Sequence, residues 1–516
     1  MRTLFLALFL ALFLASSLAS SLCAQLSLPQ VFTDHMVLQR DQANPIWGTA
    51  QPQEKITITL AGNVVSTKSD NDGRWRTKLP PLPAGGPHTL TVKGNKTIEI
   101  KDVLVGEVWF CSGQSNMEWP VANADGAEVE IAAANYPQIR FLTVARHGTD
   151  TPQDDIEGAW QVCSPETVPP FSAVGYFYGQ TLHAALGVPI GLIDNAWGGS
   201  TAESWIPRQT LEAEERYAPL LEHWDQKVAH FDEDAYEAFL QKFKAWEAAG
   251  YPEPSLNWND TVHPVTGQHR PANIYNGMVH PLAGYGIKGV IWYQGESNGG
   301  RAEQYRHLFP LLVETWRAKW GQGDFPFYWV QLADWGAEAT EPGENGWAEL
   351  RDAQTSSMDV LKNSGQAVII DLGEGRDIHP RDKKTLASRL VRWPLANDYG
   401  YDIAYQSPRY KSMEILGNTV RIALDHVSEQ GLYSFDTPEI HGFSIAGDNQ
   451  QFVWAEAKII DQNTVEVWAD TIESPVAVRY GWAQNPKLNL YDRNGLPVTP
   501  FRTDSWPWQS AGKAVD

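Results

Sequence analysis

The chain has 516 residues, 43% hydrophobic and 20% charged, a composition that fits a folded globular protein and excludes a disordered one. This length is too great for one ordinary domain, and three units is a reasonable expectation. Forty basic against 62 acidic residues leave a net charge of −22, which argues against nucleic acid or an anionic membrane surface as partner; an anionic sugar is not excluded, because a local basic pocket is compatible with an acidic whole.

In chain order, residues 1–24 stand apart. Arg2, the apolar run Leu4 to Leu14 and the Ser/Ala-rich stretch Ala15 to Ala24 read as a secretory signal peptide, too short for a membrane span, with cleavage near Ala24 or Ala19. Cys23 raises lipidation, but Leu22 before it suits that cleavage poorly. No other stretch is long and apolar enough to cross a bilayer, so an exported protein, periplasmic or secreted, is expected. Of the three cysteines, Cys111 and Cys163 remain after the signal, too few for a disulfide framework at this length. Cys111 reads as a small buried apolar residue. There is no CxxC and no HExxH, and His263, His269 and His280 lack ligand spacing, so no metal site is expected. Twenty-two tryptophans are mostly core material, yet indoles also stack on the C–H faces of sugar rings.

From Leu26 to about Lys101 short β-prone runs (Lys55–Leu60, Asn63–Thr67, Thr89–Val92, Thr97–Ile100) are split by turn signals at 70–73 and 83–87, which predicts a small β-sandwich-like unit over 25–101. From Asp102 to about Gly400 apolar strands (Val103–Cys111, Ile139–Val144, Gly191–Ala196, Gly289–Gln294, Phe327–Leu332, Ala367–Leu372) alternate with helices (Tyr176–Leu186, Ala302–Lys319, Ala348–Leu361, Lys383–Ala396). That alternation predicts an α/β domain over 102–400 built on a mostly parallel sheet. A charged helical stretch and a Pro/Asn-rich loop, about 210–272, read as an insertion bordering the sheet's active edge. β character returns over 401–516, with strands at Thr419–Leu424, Phe443–Ile445, Phe452–Ile460, Thr464–Trp468 and Ala477–Trp482.

Four segments at the ends of the α/β strands carry polar residues unsuited to a core: Gly113–Met117 (GQSNM), Asn195–Ser200 (NAWGGS), Trp292–Asn298 (WYQGESN) and Asp377–Pro380 (DIHP). In a parallel sheet these ends converge on one edge. Ser115 follows a strand and a glycine turn, so it falls at a helix N-terminus, where it can serve as a cap or as a hydroxyl beside unpaired amides. The other segments supply a Gly-Gly turn, an amide with a carboxylate, and an Asp with a His. Together these are the parts of an acyl-transfer site.

Over roughly Asp102 to Ala396 these four motifs, in this order, resemble the SGNH/GDSL-type carbohydrate esterases, specifically the sialate O-acetylesterase branch. The resemblance implies an SGNH-hydrolase-like three-layer domain flanked by β-sandwich-like units, no cofactor, and removal of acetyl groups from an O-acetylated carbohydrate. It implies Ser115 as nucleophile and His379 as base, with oxyanion donors at the Ser115 amide, the Gly199 amide and the Gln294 side chain; each donor contributes on the order of 3 kcal/mol. The superfamily's acid usually stands three residues before the His, where this chain has Arg376. Asp377, two residues before His379, is the favoured acid because i and i+2 share a face in an extended segment, which Pro380 promotes. Glu296 is the alternative, and a Ser–His dyad a third. O-acetylated sialic acid is the expected substrate, with Arg301 and Arg376 as candidates for its carboxylate. Acetylxylan or another polysaccharide ester is the rival within catalysis, and a carbohydrate-binding protein with a vestigial site the rival outside it. Oligomeric state is not legible.

Overall fold

The computed structural model describes residues 25–515; the expected signal peptide and Cys23 lie outside them. Chain order through the first part is β1 (Val37–Gln39), β2 (Asn44–Thr49), β3 (Lys55–Leu60), β4 (Asn63–Lys68), β5 (Arg74–Leu79), β6 (Gly85–Lys93) and β7 (Thr97–Gly113). β7 is the spine of the molecule. Its first third pairs antiparallel with β6, and its last third enters the central sheet. The sequence changes character where the environment does. Residues 97–102 alternate in burial, and every residue from Val103 to Gly113 is buried, as expected of a strand with one wet face that becomes covered on both.

The central sheet adds β8 (Tyr136–Thr143), β9 (Trp160–Cys163), β10 (Ile190–Ala196), β11 (Gly289–Tyr293), β12 (Phe327–Val330) and β13 (Ser364–Ala367), in the order β13-β12-β11-β7-β10-β8-β9. All neighbours are parallel except β8 and β9. The helices α1 (Ser115–Glu118), α2 (Ala173–Leu186), α3 (Ala302–Trp320), α4 (Gly346–Ser357) and α5 (Lys383–Asn397) follow or link these strands. One apolar core runs from Leu26 to Leu395, and a second gathers residues from Val420 to Phe501.

Several expectations shift. Thr97–Ile100 and Val103–Cys111 are one strand, because the polar pair Lys101-Asp102 is accommodated within it: Asp102 takes φ +54° and holds the Arg140 guanidinium at 2.6 Å and the His35 ring at 2.7 Å. Expected strand Ala367–Leu372 starts earlier and ends at Ala367, and the buried Val368 offers its carbonyl to Arg389 of α5 instead of to a neighbouring strand. Phe452–Ile460 divides at Ala455 into Phe452–Trp454 and Glu456–Ile459, which pair in two different sheets. The helices Ala218–Ala229 and Glu233–Ala248 stand in the inserted stretch. No helix among the described residues is long and apolar enough to cross a membrane.

At the end of β7 the backbone of Gly113 takes φ +142°, and a Cβ there would lie 2.1 Å from the Tyr293 carbonyl oxygen. No side chain fits, and the conformation is glycine's. Gly113→Ala should therefore cost about 3 kcal/mol or more through strain and displacement of β11, read as a lowered thermal midpoint; an unchanged midpoint would contradict this packing.

Candidate active site

The turn after Gly113 is tied down by nearly every side chain it carries. Ser112 Oγ donates to the Asn195 carbonyl (2.7 Å), and the Gln114 amide donates to the Tyr293 carbonyl (2.9 Å). Gln114 Oε1 receives the amides of Gly295 (3.3 Å) and Ser297 (3.4 Å). Asn116 Nδ2 donates to Glu296 Oε1 (2.6 Å) and to the Ile378 carbonyl (3.1 Å), while its Oδ1 accepts from Lys383 Nζ (2.6 Å). Glu118 Oε2 accepts the Gly198 amide (2.8 Å), and its Oε1 pairs with Arg146. All four polar segments therefore meet at one sheet edge.

At their meeting point Ser115 Oγ lies 2.8 Å from His379 Nε2, and His379 Nδ1 lies 2.8 Å from Asp377 Oδ1. The same carboxylate oxygen accepts the His379 backbone amide at 2.9 Å. Asp377 thus reaches the ring through a tight side-chain-to-backbone turn, and not through the extended segment that the i, i+2 argument assumes. Burial pushes the Asp377 carboxyl up, but the two hydrogen bonds from His379 outweigh this and hold it below the usual carboxylate range. Trp119 stacks on the imidazole, ring centroids 4.9 Å apart and planes 17° from parallel.

Glu296, the alternative acid, is engaged with Asn116, and burial raises its carboxyl above the usual range. Its Oε2 is buried without a partner. Lys383, fully buried, completes this cluster, and burial pushes its ammonium down to about 7. The cluster's geometric effect is plain: Asn116, one residue after Ser115, grips the carbonyl one residue before His379.

Ser115 is the first residue of the one-turn helix α1, so its amide has no intrahelical acceptor. Gly198 packs against it, its would-be Cβ 3.4 Å from Ser115 Cβ. Gln268 Nε2 holds the Gly198 carbonyl (3.3 Å). Since C=O and N–H of a trans peptide point opposite ways, the Gly199 amide faces away from Gln268. The Gly199 carbonyl is held by Ser297 Oγ (2.8 Å) and the His269 ring (2.7 Å). Gln294 requires a correction. It is wholly buried, and its Nε2 protons go to the Ser200 carbonyl (3.1 Å) and Asn298 Oδ1 (2.7 Å). Both donors are used behind the Gly-Gly turn, so the side chain supports that turn and has no proton left for an oxyanion.

Arg301 is also elsewhere, buried and paired with Glu203 at 2.8 Å, and Arg376 is exposed on the loop before Asp377. The guanidinium beside Ser115 is that of Arg146, half-exposed on the wall of an open cleft of about 710 Å³ that Ser115, Trp119 and His379 also line. Sequence reasoning missed Arg146 because it follows β8 with no motif around it. It missed Lys383 because a lysine opening a helix reads as solvated surface. Asn116 and Glu118 stood beside Ser115, but their partners are distant in sequence.

A family model described as carbohydrate esterase, sialic acid-specific acetylesterase, matches residues 258–379. The chain is 30% identical over 519 aligned positions to the sialate O-acetylesterase of Mus musculus, covering 91% of this chain and 92% of that protein. It is 29% identical to that of Homo sapiens, covering 90% of each. Among solved structures, a carbohydrate acetylesterase from Xanthomonas citri shares 36% identity and a TM-score of 0.80, over 93% of this chain and 100% of that one.

The buried lysine gives a pH signature. With the folded value near 7 and the unfolded chain at the ordinary lysine value, the unfolded state holds a proton between them that the folded state has released, so raising pH favours the fold. The thermal midpoint of the native protein relative to Lys383→Met should climb from about pH 7 to about pH 10 and stay flat below. A constant difference would show that Lys383 is charged in the fold throughout.

Proposed function

The chain belongs to the sialate O-acetylesterase family of carbohydrate esterases and hydrolyses O-acetyl esters, and on that premise we propose that it is a serine esterase releasing acetate from O-acetylated sialic acid. The single observation that carries the mechanism is the unbroken relay Ser115 Oγ, His379 Nε2, His379 Nδ1, Asp377 Oδ1, with both links at 2.8 Å.

In this mechanism Ser115 Oγ attacks the acetyl carbonyl while His379 Nε2 takes its proton. The tetrahedral oxyanion is met by the amides of Ser115 and Gly199. His379 returns the proton to the sugar oxygen as the C–O bond breaks, leaving acetyl on Ser115. Water, deprotonated by His379, attacks that ester, acetate leaves, and the proton goes back to Ser115. Asp377 holds the imidazole tautomer and stabilises the imidazolium. Trp119 fixes the plane of the ring. Asn116, Lys383 and Glu296 position the two loops and take no part in proton transfer.

Arg146 supports the sialate reading. Its guanidinium lines the cleft beside Ser115, held by Glu118, and a fixed planar cation suits a carboxylate. We further propose an SGNH-type three-layer arrangement for 102–400, with the inserted stretch about 210–272 and β-sandwich-like units over 25–101 and 401–516, and export directed by residues 1–24.

The direct test is acetate release from O-acetylated sialic acid and from acetylated xylan, side by side. Sialate should be the better substrate, and Ser115→Ala should lose on the order of 10⁶ in kcat. Preference for xylan would overturn the substrate, and an active Ser115→Ala would overturn the mechanism. Asp377→Asn should lower kcat about 10³-fold while Glu296→Gln lowers it by less than about tenfold; the reverse order would make Glu296 the acid. Arg146→Gln should raise KM for the sialate ester about tenfold and leave 4-nitrophenyl acetate unaffected; equal effects on both would remove Arg146 from carboxylate binding.

A further inference from the structure

A second cavity, of about 570 Å³, lies in the seam between the N-terminal β strands and the α/β domain. One wall is the β2–β5 pair, where Trp47 stands directly opposite Arg76. The other comes from the segment before β11, with Tyr275 and His280, and from the last turn of α3, with Lys319. α3 starts just after the Gly295–Ser297 segment that Gln114 binds and runs 19 residues, about 28 Å, before it ends at the cavity. The cavity is therefore remote from Ser115, and it shares no lining residue with the cleft there.

Ordinary packing spends its polar groups on one another, and this seam leaves several unspent. Tyr275 is only 3% exposed, yet its hydroxyl has no hydrogen-bond partner among the described residues. The Arg76 guanidinium lies 4.9 Å from the centre of the Trp47 ring and against Gly284, which has no side chain to displace it. Neither Arg76 nor Lys319 has a carboxylate partner among the described residues. The carboxylates of the opposite end are already engaged. Asp155 Oδ1 accepts the amides of Gln30 and Ile156 (both 2.8 Å), and Asp70 Oδ1 accepts those of Asp72 and Arg74 (both 2.9 Å). Asp154 pairs with Arg74 at 3.2 Å. Trp47 is itself fixed, with the Phe32 ring edge-on at 4.8 Å.

Two cations without counter-ions, a buried hydroxyl and a fixed indole face one space of small-ligand size. The cations suit a carboxylate, the hydroxyl a polar substituent, and the indole the C–H groups of a ring. Inorganic phosphate would use only the cations. We propose that this cavity is a second, non-catalytic site for a carboxylated sugar, its carboxylate on Arg76 and Lys319 and a hydroxyl on Tyr275. An acidic glycan bound there is anchored to the enzyme without occupying the cleft. The choice of sialic acid as probe rests on the substrate reading made above; the site itself does not.

Calorimetric titration with free N-acetylneuraminic acid, which has no ester to lose, tests the site. Binding should persist in Arg146→Gln, where the cleft loses its guanidinium. It should weaken about tenfold in Arg76→Ala and in Lys319→Ala, and about threefold in Tyr275→Phe. Tyr275→Phe removes only an unpartnered hydroxyl, so its thermal midpoint should match the native one and the loss cannot be unfolding. N-acetylmannosamine, a neutral sugar, should bind at least about tenfold more weakly. Unchanged binding in all three cavity variants would overturn the proposal, as would equal binding of the neutral sugar. Displacement by equimolar inorganic phosphate would also overturn it, leaving a plain anion site. Binding lost in Arg146→Gln alone would place the sugar only in the cleft and overturn it too. Binding lost in the cavity variants, with Arg146→Gln equal to native, would uphold the cavity and count against the sialate reading of the cleft.

Discussion

A hydroxyl can be a nucleophile only if its base is held against it, and the imidazole that meets Ser115 Oγ belongs to His379, 264 residues away in the chain, on a loop with little regular structure of its own. The bond from Asn116 Nδ2 to the Ile378 carbonyl is the constraint on which the site depends. It joins the residue after the serine to the residue before the histidine, so the two functional groups cannot drift independently. Gln114 and Glu118, on the same short turn, bind the Gly295–Ser297 and Gly198 segments in the same way. Four loops thereby become one body, which is what preorganised acyl-transfer chemistry needs.

Holding Asn116 in turn requires two ionisable groups where water does not reach. Lys383 and Glu296 flank it, and burial opposes the charge on both. Such a cluster is a poor contributor to stability, since isolated buried charge is costly. Its geometry is its use: each partner offers Asn116 a bond that fixes which way the amide points. The Gly-Gly turn is fixed in the same way, its carbonyls occupied by Gln268, His269 and Ser297 and its Gly198 amide by Glu118.

Much of this is legible in the sequence. Val103 to Gly113 is apolar throughout because both faces are covered, and Lys55–Leu60 alternates because one is not. Local composition reports local environment, so strand identity came through well. Continuity did not: Lys101-Asp102 looked like a boundary because their partners, His35 and Arg140, are distant in sequence. The same limit applies at the site. The motifs name Ser115, His379, Asp377 and Gly199, and the structure hydrogen-bonds the first three to one another and packs Gly198, next to Gly199, on Ser115. Gln294 has the donors of an amide, but the direction of a buried amide depends on Ser200 and Asn298, which no local pattern encodes. Arg146 and Lys383 carry no motif, and only the folded chain relates them to Ser115.

The central claim is that acetyl passes through Ser115. Rapid quenching of the enzyme during turnover of an O-acetylated sugar, followed by mass analysis of the peptide that carries Ser115, tests it most directly. The account predicts one acetyl group on Ser115, present during turnover and absent once substrate is exhausted. A peptide that stays unmodified under conditions where acetate is being released would contradict it.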